Sequence, residues 1–415
     1  MIRLLITFVM VVLLITTTGA EARGADLSSS DMEYQGLQNR LEQMLGREKG
    51  TYGVLVMDIQ SGRVCALNPL EPFHAASTFK LPMNIYLFKK IASGETDPGQ
   101  KLVYRESHYE GGTGKLQYNS PGTSYTIETL SQYSIIYSDN VATNVLLSFL
   151  GKKNVKDFMR QSGGLVVDDS KNLTCPRDMA LYMRELLEFA GQSPEQANRL
   201  IDYLENTVFN ERIPALLPKS VKIAHKIGNW PATATYNDVG YVRHPVNPYI
   251  ISIFSKNTPG AGRAYDVISR ISKAVYDYQN DFFVVSLLFN GTPLESDVPP
   301  FMESGRVFVP ARVVAEALDA KVTWDGENWT VGITGNGKNI ILQVDNPEAR
   351  VNEASIEINP PARLINGRTM VPLRFVAENL GAEVLWDDPA HTVNIIPGTA
   401  ADEQENQSAQ QSPNS

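Results

Sequence analysis

The chain has 415 residues, 43% apolar and 20% charged, which is the composition of an ordinary globular protein and too long for one compact core. A net charge of -9 and a pI near 5.2 argue against a basic binding face, so nucleic acid is not an expected partner. Two cysteines, Cys65 and Cys175, are too few for a disulfide framework or a structural zinc site, and both are expected free and buried.

The first 22 residues hold one arginine, an apolar run from Leu4 to Ile15, and small residues ending Ala20-Glu21-Ala22. That order of charge, apolar run and A-x-A-like site predicts a signal peptide over residues 1–22. The protein is therefore expected to be secreted or held in the extracytoplasmic cell envelope. An uncleaved anchor is the alternative, although the run falls short of the roughly 20 residues a span needs.

From about 34 to 280 the pattern mixes strands and helices. The stretch YGVLVMDIQSGRVCAL reads as two strands around a Ser-Gly turn. Helical periodicity follows at 77–92, 127–149, 154–161 and 176–190. Three strands, in VKIAHKIG, TYNDVGYV and PYIISIFSK, precede an amphipathic helix at 263–279. Strands from both ends with helices between them predict an α+β domain with one sheet and a helical subdomain.

From Phe282 the texture changes. Residues 305–333 align without gaps on 367–395, a constant offset of 62 that pairs Gly305 with Gly367, Pro310 with Pro372, Arg312 with Arg374 and Trp324 with Trp386. Two copies at this period indicate a duplicated small α+β unit rather than a solenoid, with repeats at about 289–333 and 351–395. Each copy reads as a strand, a proline-started short helix and a hairpin around Trp-Asp. Residues 399–415, rich in Glu, Gln, Ser and Asn, are expected to be disordered.

Three short motifs stand in one order along the first part. Ser77 and Lys80, in AASTFK, are three apart at the mouth of an apolar helix and share a helical face. Next, YSDNVATN supplies Ser138, Asp139 and Asn140, and AHKIGNW supplies Lys226, Gly228 and Asn229. Singly these have plain readings: a core helix, a turn or cap, a surface lysine and a strand bulge. Together, with Ile227 in the middle of the third, they resemble the S-x-x-K, S-D-N and K-T-G signature of class A β-lactamases and penicillin-binding proteins.

Residues of about 34–280 thus resemble a class A β-lactamase-type serine hydrolase, with further matches in EGGTGKLQY, TCPRDMALYM and TYNDVGYV. The resemblance implies a β-lactamase/D,D-peptidase-like fold, an antiparallel sheet plus a helical subdomain, acting on a β-lactam or a peptidoglycan stem peptide without a cofactor. It makes Ser77 the nucleophile, Lys80 its base and Ser138 a proton relay. Asn140 would hold Lys80 and the substrate amide, and Lys226 would supply the cation. Gly228 would let substrate backbone approach, and the N–H groups of Ser77 and Asn229 would face the oxyanion. Burial and the charge of Lys226 are both expected to lower the Lys80 pKa. His225 is assigned no role, and Asp139 is expected to fix a loop.

Two features depart from the family. Ile227 stands where a Thr or Ser normally contacts the substrate carboxylate, a hydrogen bond worth about 1.5–3 kcal/mol. The stretch 162–178, where class A enzymes carry a deacylating glutamate, contains none. Asp168 and Asp169 are the only substitutes before Asp178, and their plain reading is as solvated loop carboxylates. Acylation at Ser77 with slow deacylation is therefore expected. A D,D-peptidase-like enzyme or a non-hydrolysing β-lactam- or wall-binding protein are the alternatives.

The repeated part, roughly 282–397, resembles the copper amine oxidase N-terminal-like stalk domain of exported bacterial proteins. With one histidine, His391, and no cysteine, it offers no ligand set for copper. Arg312 and Arg374 are expected to brace the fold, with a surface-binding role as the alternative. The resemblance implies a spacer, or cell-wall association through residues 282–397.

Overall fold

The structure, a computed structural model, describes residues 32–398 apart from 60–61, 304, 366 and 388–389. The expected signal peptide at 1–22 and the expected disordered tail at 399–415 lie outside the described residues.

Five strands form the first sheet: β1 (Thr51–Asp58), β2 (Val64–Leu67), β3 (Ile223–Trp230), β4 (Thr235–Val242) and β5 (Tyr249–Lys256). Their order is β2-β1-β5-β4-β3, antiparallel throughout, which leaves β3 at an edge. Buried residues run almost without interruption along β1, β4 and β5 because both faces of the sheet are covered. The helices of this part are α1 (Met32–Leu45), α2 (Lys80–Ala92), α3 (Ile127–Ile136), α4 (Asn140–Leu150), α5 (Lys152–Gln161), α6 (Pro176–Gln192), α7 (Pro194–Glu205) and α8 (Ala261–Phe283).

The alternation of β1 assigns its side chains to two cores. Val54 and Val56 pack with Leu37 and Leu41 of α1 and Ile268 and Ile271 of α8. Leu55 and Met57 join the larger core around α2, whose Leu81, Met83, Ile85 and Leu87 are fully buried. Cys65 and Cys175 are separate buried thiols, each pushed up to about 12 by burial.

The elements differ from expectation in three places. Helices α1 and α7 carry clear apolar spacing, Tyr34-Leu37-Leu41 and Ala197-Leu200-Ile201-Leu204, yet lie outside the expected set. The single helix expected over 127–149 is two. Ser138 takes φ +50, which no helix interior accommodates, and Asp139 restarts the chain by capping α4 through the Ala142 N–H.

The second part begins with β6 (Ser286–Phe289) and β7 (Thr292–Pro293). Then come β8 (Phe301–Glu303), β9 (Arg306–Pro310), α9 (Ala311–Ala317), β10 (Lys321–Asp325), β11 (Thr330–Gly335), β12 (Lys338–Gln343), β13 (Glu348–Val351) and β14 (Ala354–Glu357). The second copy follows as β15 (Arg363–Ile365), β16 (Arg368–Pro372), α10 (Leu373–Asn379), β17 (Ala382–Asp387) and β18 (Thr392–Pro397). These build three sheets, ordered β7-β6-β18-β17, β8-β9-β16-β15 and β10-β11-β12-β13-β14. A small apolar cluster of Val246, Val298, Phe301, Phe308 and Met370 joins the two parts.

His244 sits beside that junction. Its Nδ1 accepts from the backbone N–H groups of Val246 and Asn247, at 3.3 and 3.1 Å, so Nε2 carries the proton and donates to Asn280 Oδ1 at 3.2 Å. Burial holds its pKa down to about 4, and protonating Nδ1 would break both backbone contacts. Between about pH 6.5 and 4 the unfolded chain binds a proton here that the folded chain refuses, so stability falls as pH falls through that window. The expected contribution is about 3 kcal/mol. Denaturant midpoints at pH 7 and pH 4.5 for the wild type and His244→Asn check it, and equal acid sensitivity in the two proteins would refute it.

Candidate active site

Ser77 lies in a 3-10 turn, Ala76–Phe79, that feeds directly into α2. The preceding Ala76 is held at φ +50, a conformation costing a non-glycine residue of order 1 kcal/mol. Three contacts hold it there. The Ala76 N–H donates to His74 Nδ1 at 3.1 Å, Asn172 Nδ2 donates to Ala76 O at 3.1 Å, and the Ala75 N–H donates to Asn172 O at 2.8 Å. The loop 162–178, which holds no glutamate, is thus fastened to the residues just before the serine.

Gly228 explains the packing on the other side. A Cβ there would stand 2.7 Å from Ala75 O and 3.1 Å from Thr78 N, so β3 lies against the serine turn itself. At this glycine the strand and the backbone of the serine turn approach each other closely.

Lys80 and Lys226 are both buried and meet at one hydroxyl. Lys80 Nζ reaches Ser138 O at 2.6 Å, Asn140 Oδ1 at 2.8 Å and Ser138 Oγ at 3.2 Å. Lys226 Nζ reaches the same Ser138 Oγ at 3.0 Å and Ile227 O at 3.2 Å. Burial lowers the Lys80 pKa to about 7, opposed by the charges of Asp139 and Glu110. Lys226 is driven well below the ordinary lysine range, by burial first and by the charge of Lys80 second. Burial comes first for both lysines, and two cations this close further favour the neutral forms, in the direction the sequence expects for Lys80.

Asp139 organises the loop opposite. It accepts from the N–H groups of Lys115, Leu116 and Ala142 at 2.6, 2.8 and 2.9 Å, while Thr113 Oγ1 donates to Ser138 O at 2.6 Å. Gly114, at φ +109, is required here because a Cβ would overlap the Asp139 carboxyl at 2.4 Å. Asn140 is engaged at both ends: Oδ1 accepts from Lys80 and Nδ2 donates to Gly111 O at 3.0 Å. One Nδ2 hydrogen is left for a substrate amide.

Ser77, Lys80, Ser138, Asn140, Ile227 and Asn229 line one cleft of about 500 Å³. Lys226 and Gly228 lie just behind it, in the same strand as Ile227 and Asn229. Asp168 and Asp169 are not among the lining residues. Asp168 is held low, at about 2, by the Lys171 N–H and the hydroxyl and N–H of Ser170, and Asp169 pairs with Arg160 at 2.6 Å. Glu110 is the one acidic residue among the described lining residues, and its Oε2 accepts from Asn144 Nδ2 at 2.9 Å.

Several residues of the site escaped the motifs. His74 and Trp230 stack at 4.2 Å to form one wall. Lys156 of α5 lines the cleft while 2% exposed, its Nζ without a hydrogen-bond partner and lying 5.3 Å from the Phe79 ring. Its signal was available: a lysine on the face shared with Val155 and Met159 breaks the apolar stripe. Arg212 is buried behind β3, donating to Asn237 O at 2.5 Å and to Asn229 Oδ1 and lying over the Tyr265 ring. His225 is paired with Asp238 at 2.9 Å within the same layer.

Comparison with known proteins gives the same picture. A family model described as the beta-lactamase enzyme family matches residues 36–279, and one described as the copper amine oxidase N-terminal domain matches residues 288–395. Among the described residues no cluster of metal-ligating side chains occurs, and one histidine in the second segment does not fit copper. The chain is 24% identical over 269 residues to the extended-spectrum beta-lactamase PER-1 of Pseudomonas aeruginosa, covering 59% of this chain and 87% of that one. It is 27% identical over 241 residues to the carbapenem-hydrolyzing beta-lactamase KPC of Klebsiella oxytoca, covering 52% and 78%. Among solved structures, PBP-A superposes with a TM-score of 0.57 at 28% identity, covering 60% of this chain and 97% of that one. A beta-lactamase from Sphaerobacter thermophilus gives 0.54 at 25%, with 60% and 97% covered.

Two outcomes follow from the geometry. Lys80 accepts a proton only when neutral, so the rate constant for labelling by a fluorescent penicillin should rise about tenfold per pH unit below about 7 and level off above it. A flat profile from pH 5 to 8 would remove Lys80 as the base. Gly228→Ala should push β3 off the serine turn and slow labelling by at least about tenfold. An unchanged rate would show that the contact with Ala75 does not set the site.

Proposed function

The chain belongs to the beta-lactamase enzyme family, and from that premise we propose that it is an exported active-site-serine hydrolase acylated at Ser77 by β-lactams. The observation that carries this reading is the meeting of Lys80 and Lys226 at Ser138 Oγ, beside the serine turn. With Ser138 O and Asn140 Oδ1 taking two N–H groups of a neutral Lys80, its lone pair is free for a hydroxyl proton.

In this reading Lys80 takes the Ser77 proton as Oγ attacks the β-lactam carbonyl carbon. The N–H groups of Ser77 and Asn229 receive the oxyanion, the latter at the edge of the sheet. The ring C–N bond then breaks, and its nitrogen takes the Ser138 proton, which the Lys80 ammonium replaces. Atoms and charge balance with no further group.

Release of the acyl group is the weaker half. No glutamate lies in 162–178, and Glu110 at the opposite rim is the lining carboxylate. The structure titled an acyl-enzyme complex with penicillin G belongs to a variant of PBP-A, a protein similar to this one. Slow deacylation is thus part of this reading, and a D,D-peptidase acting on peptidoglycan stem peptides is the second. The repeated segment would serve as a spacer or a wall attachment.

Fluorescent penicillin should label the protein once per chain, with release on a scale of minutes or longer, and Ser77→Ala should take no label. Label on Ser77→Ala would move the nucleophile elsewhere. Rapid turnover of a chromogenic cephalosporin would keep the acylation and overturn the slow release.

A further inference from the structure

The repeated segment is built around a local two-fold axis. Strands β9 and β16 pair antiparallel with Val309 opposite Val371, and these two residues are equivalent in the repeat. Phe308 faces Pro372 and Pro310 faces Met370, the same pairing read from either side. The two copies thus meet as the halves of an isologous dimer do, within one chain.

This symmetry produces two clefts, of about 600 and 460 Å³. Each lies between the Gly-Arg turn of one repeat and the helix start and hairpin of the other. The larger holds Arg306 with Arg374 and Trp386, and the smaller holds Arg368 with Arg312 and Trp324. Every lining residue of the smaller cleft except Gly326 and Trp329 stands 62 positions from a lining residue of the larger. A cavity made twice from equivalent positions, each time across the repeat boundary, belongs to the design of the unit.

The lining has a definite chemistry. Trp324 and Trp329 are 47% and 51% exposed and meet edge to face at 6.3 Å, the kind of exposed aromatic surface that marks a binding site. Arg312 and Arg374 project from equivalent helix starts, 72% and 61% exposed, each with a glutamate four residues on at 3.9 and 3.6 Å. The larger cleft also has Glu357 and Glu378 in its wall, so its polar groups both donate and accept. A flat apolar ring beside forked donors suits a pyranose: the ring face covers the sugar's C–H face, and guanidinium groups hold its hydroxyls and carboxylates.

We propose that these clefts are twin glycan-binding sites, each taking a short stretch of an amino-sugar polymer that bears carboxylates. The choice of a bacterial wall polymer rests on the reading of the catalytic site given above; the clefts themselves do not depend on Ser77. Two equivalent sites on one rigid body give an avidity neither has alone.

The test uses the full chain and co-sedimentation with bacterial sacculi stripped enzymatically of their stem peptides, with chitin particles as the uncharged amino-sugar probe. The wild type should sediment with stripped sacculi. Trp324→Ala or Trp386→Ala alone should weaken half-maximal capture by about fivefold or more, and the two together by roughly 50-fold. Arg306→Gln with Arg368→Gln should weaken capture by sacculi more than capture by chitin. Fluorescent-penicillin labelling and melting temperature, unchanged in each variant, report an intact fold. Wild type left in the supernatant with both probes overturns the proposal, as does capture of the double tryptophan variant at wild-type strength. Capture without any labelling would sink the acylation reading and leave the twin sites standing.

Discussion

Two lysine side chains cannot be buried side by side unless something keeps them from both being charged. At this site the discipline falls on one hydroxyl, Ser138 Oγ, which both Nζ atoms approach. Desolvation of an ammonium costs several kcal/mol, and the carboxylates Asp139, Asp238 and Glu110 act on the pair through charge and accept no hydrogen bond from either lysine. The pair therefore resolves toward neutrality, which is the condition for a lysine to remove a proton. Much nearby structure serves to place Ser138: the left-handed backbone that splits α3 from α4, the Asp139 cap and the glycine that clears its carboxyl. On the other flank β3 carries Lys226 and is backed by Arg212 and the His225–Asp238 pair.

How much of this was legible depended on whether the information is local. The order of Ser77, Lys80, Ser138, Asn140 and Lys226 is written in short motifs, and the structure brings those side chains to one cleft or directly behind it. The α+β plan with a single antiparallel sheet was likewise readable from period-2 and period-3.6 patterns. The break at Ser138 was not, because apolar spacing runs on through it while only a backbone angle changes. Arg212 was invisible for a different reason: its partners Asn237, Asn229 and Tyr265 come from separate segments that only the fold assembles. Gly228 was found in its motif, but its contact with Ala75 and Thr78 was not, because those partners come from a distant segment.

The loop 162–178 contains no glutamate and shapes what surrounds the serine turn. Asp178 is buried at its base, accepting from the N–H groups of Leu165 and Val166 at 3.0 and 2.7 Å, so the loop is tied down tightly. Ser170, Lys171 and Asn172 face the cleft in its place, and Lys156 lies beneath. This wall carries positive charge and amides where the family has an acid. A water bound here meets donors more readily than a base.

The antiparallel contact of Val309 with Val371 has a consequence for how the repeated segment changes over time. In a true homodimer one codon writes both halves, and every substitution appears twice. Here each half has its own codons, so one cleft can drift while its twin keeps the older chemistry. The ring that closes the hairpin already differs between the copies: Trp329 and its counterpart His391 share the same left-handed backbone, at φ +54 and +45, with different side chains. Fusion of the copies made their inequality heritable.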